Sequence, residues 1–137
     1  MEDDMGIPPD ALARLQAACR DEVGYAVGLV HDRHSPQVFC WGLKQDEDGK
    51  YVATACKRKG GLHSIGLGGF ACTYIPRWSL NALGVPRFKC YAPADWKAGS
   101  IAGCDMVLCM ELDRLGIKRV CDFDLKTSHY DSKGIAH

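Results

Sequence analysis

The residues best suited to chemistry lie near the C-terminus, in Val120-Cys-Asp-Phe-Asp-Leu-Lys-Thr-Ser-His129. Strand alternation puts Asp122, Asp124 and Lys126 on one face and Cys121, Phe123 and Leu125 on the other. A second polar segment, Ala92-Pro-Ala-Asp-Trp-Lys-Ala-Gly-Ser100, adds the Asp95 carboxylate, the Trp96 ring, the Lys97 ammonium and the Ser100 hydroxyl. Asp95, Asp124, Lys126 and His129 are the candidates for acid, base or metal-ligand roles. Trp96, Lys97, Ser100 and Ser128 are the candidate ligand contacts. An anionic small molecule or a phosphate group suits such a set.

These residues can act together only if the fold brings them together. Phe88 to Tyr91 reads as a strand, and Ser100 is a good N-cap for a helix from Ile101 to Leu115. Ile101, Cys104, Leu108, Leu112 and Leu115 share a face of that helix, and Gly116 is placed to end it. Ile117 to Leu125 reads as a strand. Strand, helix, strand is a crossover unit whose two strands run parallel in one sheet. Ligands bind beyond the carboxyl ends of such strands, where the start of the helix also presents unpaired N–H groups. The expected site is therefore that sheet edge.

The rest of the chain supplies the scaffold. Asp10 to Val23 places Leu12, Leu15, Cys19 and Val23 at helical spacing, with Gly24 as the stop. Tyr25 to Val30 is apolar on both faces and suits a central strand. Val38 to Leu43 and Tyr51 to Cys56 follow, and the three together predict an antiparallel meander. The glycine-rich stretch from Gly60 to Gly69 will not hold a helix well. Phe70 to Ile75 predicts another strand, and Ser79 to Leu83 a short helix closed by Gly84. The expected fold class is α+β: one domain over residues 1–137, with a mixed sheet of N-terminal meander and C-terminal βαβ crossover, and helices packed on it.

Two resemblances bear on the chemistry. Asp124-Leu-Lys126 at a strand end resembles the core of the restriction-endonuclease-like nucleases, which implies a magnesium ion held by two carboxylates, with Asp95 as the other acid. That family joins its acidic strands by a tight hairpin, whereas a helix intervenes here. Cys109-Met-Glu111, followed by a glycine and a strand, is similar to the helix of the zinc-dependent nucleoside deaminases, which implies a zinc thiolate and a proton-shuttling glutamate. The Pro-Cys-x-x-Cys that such a site needs is absent from the sequence.

Composition narrows the classes further. Lys plus Arg and Asp plus Glu are both 17, so the net charge is zero, and nucleic-acid or anionic-membrane coating is not favoured. No cysteine pair has the two-residue spacing of a zinc knuckle, and most of the eight cysteines sit singly in apolar segments, as small core residues do. The acidic start lacks a signal-peptide pattern, and no apolar run is long enough to span a membrane, so a cytoplasmic protein is expected. Trp78, beside Pro76 and Arg77, is the tryptophan expected at a surface. The sequence names no cofactor. The leading expectation is a binding or regulatory module of the inhibitor or accessory type, acting on a protein partner or a small anionic ligand. The alternative is a small hydrolase or transferase acting on a phosphate-bearing or nucleotide substrate.

Overall fold

Val23-Gly-Tyr-Ala-Val-Gly-Leu29 carries no charge. A strand made from it loses least free energy when both of its faces are covered. In the computed structural model, which describes residues 5–30, 40–45, 47, 51–56, 60–84 and 103–130, this segment lies inside a mixed sheet. The elements in chain order are β1 (Met5–Gly6), α1 (Ala11–Ala18), β2 (Val23–Leu29), β3 (Cys40–Gln45), β4 (Tyr51–Ala55), β5 (Leu62–Ser64), β6 (Leu67–Gly68), β7 (Thr73–Tyr74), α2 (Arg77–Ala82), α3 (Cys104–Arg114), β8 (Lys118–Lys126) and β9 (Ser128–His129). The main sheet has the order β5-β8-β2-β7. Within it β2 and β8 are parallel, and β5 and β7 run antiparallel to their neighbours. A second sheet has the order β4-β3-β6, and β1 pairs with β9.

The fold is α+β with a mixed sheet, as the sequence predicts. The meander forms only in its β3–β4 half, with Trp41 opposite Ala55 and Gln45 opposite Tyr51. β2 instead joins β7 and β8, where both of its faces are buried, and β3 turns its other edge to β6. The last long strand, β8, runs parallel to β2. The segment expected to be its crossover partner, Phe88 to Tyr91, lies outside the described residues.

Side-chain alternation along β2 divides the core. Tyr25, Val27 and Leu29 pack with Leu108, Leu112, Cys121 and Phe123 on the α3 side. Ala26 and Val30 pack with Ala11, Leu15, Val120 and Leu125 on the α1 side. Leu125 is thus on the same side as Val120, not with Cys121 and Phe123 as strict alternation requires. The register explains the switch: Gly28 is opposite Asp122, but Leu29 is opposite Lys126, so the intervening residues of β8 bulge from the ladder. Gly28 makes room for the bulge, since a Cβ there would stand 3.0 Å from the Leu125 carbonyl oxygen.

Both longer helices are shorter than the sequence pattern suggests. α1 stops at Ala18, and the chain turns back through Asp21, at φ 54, to enter β2. Leu12, expected on the core face, is 61% exposed. α3 begins at Cys104 with Gly103 in the N-cap position, so Ser100 is not its N-cap. Its buried residues include Val107 through Met110, a wider face than one stripe, because β6 and β8 both pack against it. Leu115, expected on that face, is exposed. Gly84 and Gly116, at φ 69 and 70, follow α2 and α3 as predicted. Trp78 is exposed, also as expected. Among the described residues no helix is long and apolar enough to cross a membrane.

Candidate functional site

The carboxyl edge of the parallel pair is where β2 reaches Val30 and β8 reaches Lys126. Thr127 ties the two strand ends together: its N–H and its hydroxyl both donate to the Leu29 carbonyl, at 3.0 and 3.1 Å. The chain then enters β9, which pairs with β1, and β1 leads through Pro8 and Pro9 into α1. This brings Arg14, on α1, over β8.

Arg14 grips Asp122. Its Nε donates to Asp122 Oδ2 at 2.9 Å and its Nη2 to Oδ1 at 2.8 Å, a two-pronged pairing of planar groups. Asp122 is 8% exposed, so the guanidinium supplies what water would otherwise give the carboxylate. Asp122 Oδ1 also accepts the Asp124 N–H at 3.1 Å, which helps shape the bulge.

Asp124 closes a neighbouring turn. Its Oδ2 accepts the Gly61 N–H at 2.7 Å. Gly60 and Gly61 hold φ of 61 and 73, a backbone that L side chains adopt only at a cost. The ring of His63 bonds through Nε2 to the Gly60 carbonyl at 2.7 Å and meets Phe123 edge to face, with centroids 5.5 Å apart. Phe123 N–H donates to the Gly61 carbonyl at 2.9 Å. The Gly60–Gly61 turn is therefore fastened to β8 by side chain and backbone together.

Of the residues picked out in the sequence, Asp124 stands in this network. Lys126 is exposed at the end of β8, Ser128 is half-buried opposite Gly6, and His129 is opposite Met5 in β9. Asp95, Trp96, Lys97 and Ser100 lie outside the described residues. Arg14, His63 and the two glycines belong to the edge but were not picked out for it. The one available signal was Arg14 itself, a charge in the otherwise small and apolar run Ala11-Leu-Ala-Arg-Leu15.

The magnesium pair implied by the nuclease resemblance needs Asp95 as well as Asp124. Asp95 lies outside the described residues, and Asp124 Oδ2 accepts the Gly61 N–H. The zinc chemistry implied by the deaminase resemblance does not fit the residues described. Cys109, the thiol that would bind zinc, is fully buried in the α3 core, with its Sγ 3.8 Å from the Gly68 carbonyl. Burial pushes that thiol up to about 11. Glu111 pairs with Arg114 at 3.1 Å instead of facing the same space. Among the described residues no three His, Cys, Asp or Glu side chains are grouped to hold an ion.

Tyr25, Thr73 and Arg119 are likewise used internally, whereas the fully buried Ser79 hydroxyl has no hydrogen-bond partner among the described residues. Tyr25 donates its hydroxyl to the Gly69 carbonyl at 2.9 Å, and Thr73 donates to the same oxygen at 2.7 Å. Burial holds the Tyr25 hydroxyl well above its ordinary value. Arg119, 6% exposed, donates to the Gly66 and Ile117 carbonyls and pairs with Asp113. It thereby joins the end of α3 to the turn before β6.

A different surface lies beside β7. Ile7, Leu12 and Leu15 face the Phe70–Tyr74 segment across an apolar groove of about 160 Å³. Cys72 lies in its wall, and burial raises the Cys72 thiol above its ordinary value. Cys19 packs nearby, its Sγ 3.9 Å from the Tyr74 carbonyl, and burial pushes its thiol up to about 11. Neither thiol is poised as a nucleophile at neutral pH. The groove can accept an apolar group and offers little for chemistry upon it.

No protein-family model, curated protein or solved structure matches the chain.

Proposed function

We propose that the chain is a small binding module, of the inhibitor or accessory type, that acts by contact with another protein, and that the groove between α1 and the Phe70–Tyr74 segment receives one apolar side chain of that partner. The observation that carries this reading is Leu12, 61% exposed at the rim of an apolar groove. An exposed leucine alone is ordinary, but one beside an unfilled apolar depression marks a contact surface. Size favours a side chain over a larger molecule. Small-molecule sites hold about 300–1,000 Å³, against about 160 Å³ here. The described carboxylates of the carboxyl edge support the same reading, because Asp122 and Asp124 serve Arg14 and Gly61. A reducing compartment such as the cytoplasm belongs to the proposal, and the free thiols of Cys19, Cys72, Cys109 and Cys121 support it.

The alternative, chemistry on a phosphate-bearing substrate, draws on Lys126, which is exposed at the carboxyl edge and has no ion-pair partner among the described residues. A titration of isotope-labelled protein separates the two readings. The probes are N-acetyl-leucinamide, N-acetyl-phenylalaninamide and inorganic phosphate. Saturable shifts at the amides of Leu12, Cys72 and Tyr74 with the apolar probes, abolished by Leu12→Glu, are expected. Phosphate-induced shifts at Gly61 and Lys126, with the groove amides silent to every probe, would overturn the proposal in favour of the alternative.

A further inference from the structure

We draw no further inference here: the strongest candidate, the open cleft bordered by Asp21, Glu22, Trp78, Gly116 and Ile117, carries nothing, because Lys118 already engages its acidic wall and no second feature within it points to a ligand.

Discussion

The carboxyl edge of β2 and β8 and the groove beside β7 lie around the same sheet and treat their side chains in opposite ways. At the edge, apart from the exposed Lys126, the described groups with chemical potential are tied to the protein itself: Arg14 to Asp122, Asp124 to Gly61, His63 to Gly60. At the groove, apolar surface is left with solvent on one side. The difference teaches that residue type is a poor guide to function until its partners are known. A buried carboxylate that already has a guanidinium and a backbone N–H is an architectural part. An apolar side chain without a neighbour is the one that gains most free energy from a newcomer.

The sharpest way to break this comparison is to remove the clamp. Arg14→Ala leaves Asp122 nearly buried without its cation and should cost about 2–3 kcal/mol, less than a fully buried pair because Arg14 is partly exposed. Urea unfolding measures it. A double-mutant cycle with Asp122→Ala should return a coupling of about 1–2 kcal/mol. A coupling near zero would free Asp122 from its structural role and reopen the edge as a place for chemistry.

A smaller effect is expected at the turn. Gly60→Ala should cost about 1–2 kcal/mol, since the residue holds a positive φ. A Cβ there would also stand 3.0 Å from Asp124 Oδ1. Amide exchange at Gly61 should quicken in Asp124→Ala, where its acceptor is gone. Unchanged exchange would show that the carboxylate is not what holds the turn.

Next comes pH. The half-buried thiol of Cys19 and the buried thiol of Cys109 are pushed from 9.0 up to about 11. The folded protein keeps these protons to higher pH than the unfolded chain does. Their contribution is therefore complete below about pH 9 and is lost as pH rises toward 11. Circular dichroism under a fixed denaturant concentration should record falling stability across that window, with a flatter slope in Cys109→Ala. A stability independent of pH there would mean that the thiols are more accessible than their burial implies, and would make them candidates for chemistry again.

The smallest effect on folding should accompany the largest effect on binding. Leu12→Glu alters a mostly exposed side chain and should change stability by less than about 0.5 kcal/mol. It should nonetheless abolish the response of the groove to apolar probes. If stability falls by several kcal/mol instead, Leu12 belongs to the core and the contrast between the two regions fails.

Much of the scaffold was legible in the sequence. Tyr25 to Val30 had to be a buried strand because it is apolar on both faces, and it is the central β2. Gly84 and Gly116 marked helix ends because only glycine takes the required positive φ freely. The site was less legible. The alternation placing Asp122, Asp124 and Lys126 on one face assumes an unbroken ladder, and the bulge opposite Gly28 breaks it. The C-terminal pattern predicted Phe88 to Tyr91, which lies outside the described residues, as the parallel neighbour of β8. It did not point to β2, a strand distant in sequence, because pairing is a competition among all strands for burial and hydrogen bonds.

By itself, then, the sequence determined the central strand β2, the long last strand β8, the approximate places of the three helices, the glycines that follow α2 and α3, and that the net charge is zero. Those properties follow from side-chain periodicity and backbone freedom over a few residues. Gly24, read as the stop of the first helix, lies inside β2, and the short strands β5 and β6 of the glycine-rich stretch were not foreseen. Only the tertiary structure decided that Arg14 meets Asp122 and that Asp124 caps a glycine turn more than sixty positions away. It also decided that Leu12 faces solvent while Leu15 faces the core. The reason is physical: an ion pair, a cap or a filled groove depends on distance in space, and that distance is set by how β2 and β8 come together, not by either segment alone.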